Sequence, residues 1–347
     1  MALIPLPRQA EDIPWPTDAW PRGDLAAHVD QDRLNGLLDH AFSDPQPEDL
    51  NETHAFVAVH RGRLVAQRYW RDHTPESTQP SWSKAKSITH ALIGVLVKDG
   101  VLDIYAPADV PEWQEPGDSR GAITLDQLLR MRSGLHFAED YVDAGVSHVI
   151  EMLFGKGKED TAAYAAALPL AHEPDTVFNY ASGTSNIIAR IAARAIGKTG
   201  ADFEAFMHER LFGPLGIRSA MPKFDGAGTF IGSSFCYCTP EDFARFGLLY
   251  LRDGVWEGHR ILPEGWVDYA RTFSSPAAPP TTYFDYGAHW WLGLAGPNSF
   301  SANGYQGQFT VCVPELDLIL IRHGLSMDEA GRAVHLWLSD VADCFRP

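Results

Sequence analysis

The sequence predicts an α+β fold, in which both ends of the chain form one antiparallel sheet that is flanked by helices, with a mainly helical domain inserted between them. Strand-like patterns occur at 55–70 and again at 289–322, whereas the patterns from about residue 106 to 214 are helical. We therefore expect a sheet domain formed by residues 1–105 and 225–347, and a mainly helical domain formed by residues 106–224.

The N-terminal part contains a helix, a hairpin and a second helix in that order. A helix is expected near 31–42. Two apolar strands at 55–59 and 64–70 flank His60-Arg61-Gly62-Arg63, which predicts a β-hairpin. Pro80 disfavours helix before it, and apolar residues then recur at helical spacing from Ala85 towards Gly100, so we expect a helix that begins near Ser83.

Local signals also define elements in the middle and at the end of the chain. Thr124 and Gln127 have the spacing of a capping box, and Ser326 and Glu329 suggest another at the start of a closing helix. A long apolar helix is expected to follow Tyr180. The C-terminal strands are expected at 289–294, 308–313 and 316–322.

Composition excludes several classes of function. The chain has 347 residues, is 45% hydrophobic and carries a formal net charge of -17, so nucleic acid is not an expected partner. The four cysteines show no metal-ligand spacing, and we expect neither a metal nor another cofactor. No signal peptide or membrane-spanning run is visible, which predicts no membrane association and a cytoplasmic protein, or a periplasmic one if a signal was removed. The oligomeric state is not predicted.

The start of the helix near Ser83 contains a serine and a lysine that could carry chemistry. Ser83 and Lys86 are three residues apart, so they are neighbours on one helix face. A buried lysine can lose its proton and accept one from a serine hydroxyl, and a helix N-terminus favours an oxyanion. Ser81 and Lys84 fit the same pattern two residues earlier, and an N-cap serine followed by surface lysines is the non-catalytic interpretation.

Two later stretches are candidate partners. Tyr180 lies in a Tyr-Ala-Ser sequence, and a tyrosine near such a lysine can transfer protons, although a core tyrosine is the simpler interpretation. Residues 303–308 form a glycine-bounded segment that can present an N–H group to an oxyanion or simply make a tight turn. Lys198-Thr199-Gly200 is expected at a helix terminus with Gly200 as C-cap, and not on a catalytic strand.

The ordered set S-x-x-K, Y-x-S and glycine-bounded strand resembles the class C β-lactamase-like serine hydrolases. It is most similar to family VIII carboxylesterases and aminohexanoate-oligomer hydrolases. Residues 128–135, 212–217 and 244–250 also look like segments of that family. The resemblance implies a β-lactamase/penicillin-binding-protein-like fold. It also favours the later S-x-x-K frame, because the family keeps a small residue and then a hydrophobic one after the motif lysine, as in Lys86-Ser87-Ile88.

The resemblance implies roles for individual residues. Ser83 would be the nucleophile, Lys86 the base and Tyr180 a second proton-transfer group. The backbone N–H groups of Ser83 and Gln308 would form the oxyanion hole. The expected activity is hydrolysis of a small-molecule carboxylic ester, or an amide, through an acyl-enzyme. The alternatives are a β-lactamase, a D-aminopeptidase or aminohexanoate-oligomer hydrolase, and a non-catalytic penicillin-binding-like module.

Further substrate-binding candidates follow from the same resemblance. Tyr305, Gln306 and Gly307 stand at the place of the family's K-T-G box, without its lysine, and Ser182 replaces the asparagine of Y-x-N. The missing cation is expected to disfavour β-lactams and peptides with a free carboxylate. Tyr141 would lie on the leaving-group side, and Trp290 would line the acyl pocket together with Trp291.

Overall fold

The computed structural model describes residues 3–140, 147–274 and 284–347 and confirms the predicted α+β fold. Its main sheet has seven strands in the order β2-β1-β12-β11-β10-β9-β8, so both ends of the chain contribute to it. These strands are β1 Glu52–His60, β2 Arg63–Tyr69, β8 Asp285–Tyr286, β9 Trp291–Leu292, β10 Phe300–Gly304, β11 Gln308–Val313 and β12 Leu318–Leu325. Every assigned pairing in this sheet is antiparallel.

The remaining elements are mostly helices. The α-helices in the described residues are α1 Gln31–Ala41, α2 Ala85–Lys98, α3 Leu125–Leu129, α4 His148–Phe154, α5 Thr161–Ala166, α6 Ser182–Ala195, α7 Gly200–Met207, α8 Pro240–Leu251, α9 Trp266–Arg271 and α10 Asp328–Asp343. Short 3-10 helices lie at Trp82–Lys84, Pro111–Trp113, Ser119–Ala122 and Pro314–Leu316, and a π-helix at His208–Phe212. Two smaller sheets are also present in the described residues. One contains β3 Gln79–Pro80, β4 Met221–Pro222 and β5 Cys236–Cys238, and the other contains β6 Val255–Trp256 and β7 His259–Arg260.

Helices cover both faces of the main sheet. Alternate residues of β1 separate into two cores: Val57 packs in a cluster with residues of α2 and α8, whereas Phe56 packs in a cluster with residues of α1 and α10. Because successive side chains of a strand point to opposite faces, this division is what a sheet buried on both sides requires. Helix α2 is therefore central, and its residues from Ala85 to Leu96 are all buried.

Several local predictions are confirmed. The hairpin of β1 and β2, the helix α1 and the start of α2 directly after the turn Trp82–Lys84 agree with the sequence patterns. The Thr124 capping box is present with both of its hydrogen bonds. The division of the chain into two domains at residues 105/106 and 224/225 stays a prediction.

Other local predictions are wrong. Helix α6 ends before Gly197, which has a φ of +63°, and Gly200 instead begins α7. Ser326 does not cap α10, since its hydroxyl donates to the carbonyl of Leu50. Strand β10 is not predicted as a strand.

One close contact joins β10 to the turn before α2. A Cβ atom added to Gly304 would lie 2.3 Å from the carbonyl oxygen of Ser81 and 3.1 Å from the Cβ atom of Trp82. Because real side chains do not tolerate the first distance, only glycine lets this strand end lie against the turn. In the parts of the chain that the structure describes, no helix is both long and apolar enough to cross a bilayer.

We expect Gly304→Ala to destabilise the protein by about 1–3 kcal/mol, because the new methyl group must push the strand and the turn apart. Gly36→Ala is the matched control: Gly36 lies within α1, no atom lies within 4 Å of its added Cβ, and alanine is the better helix former. Urea unfolding monitored by circular dichroism measures both changes. Equal stability of the two variants would contradict the close contact.

Candidate active site

The side chain of Lys86 lies in the core, with three oxygen atoms around its amine. Lys86 is 1% exposed. Its Nζ atom lies 3.0 Å from Ser83 Oγ, 3.0 Å from Ser182 Oγ and 3.0 Å from the carbonyl oxygen of Ser233. The 3-10 turn before α2, the start of α6 and the segment before β5 each contribute one of these oxygen atoms. The predicted nucleophile Ser83 and the predicted substrate-binding residue Ser182 therefore both meet the amine of Lys86.

The directions of these hydrogen bonds follow from Glu139. The Ser182 hydroxyl donates to Glu139 Oε1 at 2.5 Å, and the Ser182 backbone N–H donates to Glu139 Oε2 at 2.7 Å. Because a carboxylate only accepts, the Ser182 hydroxyl must accept from Lys86, and the Ser233 carbonyl must do the same. Two N–H bonds of the Lys86 amine are therefore used as donors, one to Ser182 and one to Ser233. When Lys86 is neutral, its lone pair is left to face Ser83 Oγ.

Burial makes the neutral form of Lys86 accessible. Desolvation lowers the pKa of Lys86 from its ordinary value to about 8, and the charge of Glu139 acts in the opposite direction. At one pH unit below that pKa, about a tenth of the amine is unprotonated. Such a group can accept a proton from Ser83.

Tyr180 also lies close to the amine of Lys86. Its ring centroid is 4.8 Å from Lys86 Nζ. Burial, and secondarily Glu139, raise the pKa of Tyr180 above its ordinary value, while hydrogen bonding to Ser83 and to Trp291 opposes that shift. The phenol therefore carries its proton at neutral pH and is placed to donate it.

The earlier frame of the motif does not form a comparable pair. Ser81 Oγ donates to the carbonyl oxygen of Ser234 at 3.1 Å and accepts from the backbone N–H of Cys236 at 2.9 Å. Lys84 Nζ lies 3.1 Å from His323 Nε2 and 3.3 Å from the ring centroid of Phe243. The two side chains are thus occupied by different partners.

A cavity of about 840 Å³ opens beside Ser83. Tyr180, Trp291, Tyr305 and Gly307 are among the residues that line it. Its charged lining residues, among those described, are Glu139, Asp328, Glu329 and Arg332. His335 also lines the cavity, and burial lowers the pKa of His335 to about 4, so it is neutral at pH 7. Three carboxylates against one guanidinium make this cavity more favourable for neutral or cationic groups than for anions.

Two of the predicted substrate-binding residues lie away from the cavity. Gln308 is buried within β11, between β10 and β12, and its side chain donates to the carbonyl of Gly324 at 2.6 Å. Trp290 is fully buried, with its ring centroid 4.4 Å from that of Tyr250 and 5.2 Å from that of Phe300. Trp290 therefore does not line the cavity as expected, whereas the role of the Gln308 backbone N–H group as an oxyanion donor stays a prediction. Tyr141 lies outside the described residues.

The place of the K-T-G box also differs from the expectation. Tyr305, Gln306 and Gly307 form the loop between β10 and β11 and do not lie on a strand. The strand that contacts the nucleophile turn is β10, residues 300–304, which also lacks a lysine. No lysine follows Lys223 in the sequence.

Two residues of the site are not predicted from the sequence. Glu139 orients Ser182, and His289 connects the two helices of the site: its Nδ1 atom lies 2.8 Å from the Lys86 carbonyl oxygen and its Nε2 atom 3.1 Å from Ser185 Oγ. Burial, and secondarily the charge of Lys86, lower the pKa of His289 to about 3, so this histidine is neutral. The acidic and aromatic loop at 137–141 is the one signal that points towards Glu139, and none points to His289.

Comparison with known proteins finds relatives in sequence and in structure. The chain is 25% identical over 324 residues to the 6-aminohexanoate-dimer hydrolase of Paenarthrobacter ureafaciens, a match that covers 88% of this chain and 81% of that one. A penicillin-binding protein homologue from Caulobacter crescentus superposes with a TM-score of 0.70 at 17% identity, covering 93% of this chain and 99% of that one. A family VIII carboxylesterase superposes with a TM-score of 0.66 at 16% identity, covering 91% and 99%.

The two structural matches are too distant in sequence to show more than a shared fold. The family profile is more informative, because the profile described as Beta-lactamase matches residues 52–335, from β1 into α10. That span includes Ser83, Lys86, Glu139, Tyr180 and Ser182. The chain therefore belongs to the beta-lactamase family of serine hydrolases.

Proposed function

We propose that this chain hydrolyses small carboxylic esters through an acyl-enzyme formed on Ser83. The observation that supports this proposal is the 3.0 Å contact between Lys86 Nζ and Ser83 Oγ, made by an amine whose other two positions donate to Ser182 and Ser233. A nucleophile held against a base whose pKa is lowered by burial is the arrangement that covalent catalysis requires.

The proposed reaction has two halves. Ser83 Oγ attacks the ester carbonyl carbon while its proton passes to neutral Lys86. The Tyr180 phenol then donates its proton to the departing alcohol oxygen and is reprotonated by Lys86, so an alcohol leaves and the acyl-enzyme remains. In the second half a water loses a proton to the Lys86 and Tyr180 pair, its oxygen attacks the acyl carbon, and Ser83 recovers its proton as the acid is released.

The negative charge on the tetrahedral intermediate needs backbone donors. As an alternative to the N–H group of Gln308, we assign the second N–H group to the end of β10, where Gly304 lies against the nucleophile turn. The first is the N–H group of Ser83 itself, at the start of the helical segment that leads into α2.

The charges of the cavity favour neutral esters over anionic β-lactams. An amide is the second candidate substrate, because the 25% identical relative is named a 6-aminohexanoate-dimer hydrolase. Turnover of p-nitrophenyl esters of graded chain length, measured beside nitrocefin and the 6-aminohexanoate dimer, tests the proposal. Turnover of the dimer alone would replace the ester assignment.

We expect Ser83→Ala to abolish ester hydrolysis and Ser81→Ala to retain most of it. Removing the buried Ser81 hydroxyl should lower the free energy of unfolding by about 1–3 kcal/mol, since the N–H of Cys236 loses its acceptor. Peptide mapping after treatment with a fluorophosphonate should place the adduct on Ser83. An adduct on Ser81 would reverse the assignment of the nucleophile.

The pH dependence should report the pKa of Lys86. Because the neutral amine is the base, kcat/KM should rise with pH to a half-maximal value near pH 8, where the pKa of Lys86 lies. Glu139→Gln should move that midpoint to lower pH, since the Glu139 charge raises the pKa of Lys86. The exposed Glu115, changed to Gln, is the control and should leave the midpoint unchanged. A profile that Glu139→Gln does not move would contradict the assignment of the base.

The preference for esters over β-lactams should follow from the absence of the lysine of the K-T-G box. A lost charge-assisted hydrogen bond is worth about 1.5–3 kcal/mol, so kcat/KM for p-nitrophenyl acetate or butyrate should be at least about tenfold above that for nitrocefin or penicillin G. Tyr305→Lys should narrow the difference by improving the β-lactam reaction. A wild-type ratio in favour of the β-lactam would show that another cation binds its carboxylate.

A further inference from the structure

The residue immediately before Ser83 has an unusual backbone conformation. Trp82 has a φ of +43°, in the left-handed region that bulky L-residues rarely occupy. Such a conformation persists only where the surrounding structure holds it in place. The contacts of Trp82 therefore identify what fixes the nucleophile turn.

The Trp82 indole is held by three partners. Its ring centroid lies 5.5 Å from that of Tyr305, in an edge-to-face arrangement, and 5.4 Å from that of Phe235. Its Nε1–H donates to Gln306 Oε1 at 3.2 Å. Gln306 has a φ of +63°, so the hydrogen bond joins two residues that are both in the left-handed region.

The loop that contains Gln306 is anchored independently on its other side. The Gln306 carbonyl accepts from the Ser326 N–H at 3.0 Å, and the Gly307 carbonyl accepts from Arg322 Nη1 at 2.9 Å. Arg322 is fully buried in β12. The loop is thus fixed to the sheet through its backbone, while the Gln306 side chain reaches across to the turn that carries Ser83.

We propose that Trp82 and Gln306 are a positioning pair that sets the distance between Ser83 and the end of β10. Resting on the proposed function, this inference adds that the loop between β10 and β11 holds the nucleophile turn through a neutral hydrogen bond, without a cation. Trp82 is not among the described residues that line the cavity, and Gln306, which does line it, has its Oε1 atom bonded to the Trp82 indole, so the pair acts through the position of Ser83. A small displacement of Ser83 relative to the backbone donors weakens transition-state stabilisation more than substrate binding.

A double-mutant cycle tests this proposal. Trp82→Phe keeps an aromatic ring and removes the N–H, and Gln306→Met keeps the chain length and removes the acceptor. Each should lower kcat about three- to tenfold, the effect of one neutral hydrogen bond, with KM changed less than about twofold. Because both remove the same bond, the double variant should be no slower than the slower single variant.

Trp256→Phe is the matched control. Its Nε1–H donates to Thr17 Oγ1 at 2.8 Å, outside the cavity lining, so the same substitution should lower thermal stability and leave kcat within about twofold. The proposal would be overturned if the losses of kcat in the two single variants added up in the double variant, or if only KM changed. An equal loss of kcat in Trp256→Phe would overturn it as well.

The rate of Ser83 phosphonylation by a fluorophosphonate provides a second readout of the same cycle. If the wild-type protein turns over no ester, the proposed function fails, and the labelling rates still test the pair. Slower labelling in both single variants, without a further loss in the double variant, supports the positioning role. Unchanged labelling rates in folded variants would overturn it.

Discussion

The site depends on one constraint, a lysine amine that is buried and still able to accept a proton. Lys86 is surrounded by oxygen atoms at 3.0 Å, and a fully charged ammonium could donate to all of them. Glu139 fixes the direction of the hydrogen bond at Ser182, because it accepts from the hydroxyl and leaves only a lone pair to accept from Lys86. In the neutral amine, the lone pair therefore faces Ser83. Burial then lowers the pKa of Lys86 enough for the neutral form to exist near pH 7.

The fold supplies this environment through contacts between elements that are far apart in sequence. Ser83 lies in the 3-10 turn that leads into α2, Lys86 in the first turn of α2, Ser182 at the start of α6, and Ser233 before β5. His289 is hydrogen-bonded to the backbone of α2 and to the side chain of Ser185 in α6. The relative position of the two helices therefore depends on buried polar contacts as well as on apolar packing, and such networks specify one arrangement when every member is satisfied.

Sequence patterns predict the parts of this structure that local physics determines. The β1–β2 hairpin, α2 and the Thr124 capping box follow from periodicity and capping, and the order of elements predicts the mixed sheet and helix architecture. Glu139 and His289 could not be predicted, because their roles depend on partners 43 residues away in Ser182 and 203 residues away in Lys86. The capping pattern at Ser326 fails for the same reason. Its hydroxyl donates to the Leu50 carbonyl and accepts from Arg322, and such distant partners are not visible in a local sequence pattern.

Lys84 shows why a perturbed lysine is not sufficient to identify a catalytic base. Burial lowers the pKa of Lys84 well below its ordinary value, in the same direction as that of Lys86. Lys84, however, lies against His323, Thr310 and the ring of Phe243, and Ser81 of its own frame is bonded to backbone groups elsewhere. Two overlapping motifs thus place two buried lysines on one short segment, and only Lys86 has a half-buried, cavity-lining serine hydroxyl at its amine. The feature that separates the two is the partner and its access to the cavity, and not the depressed pKa.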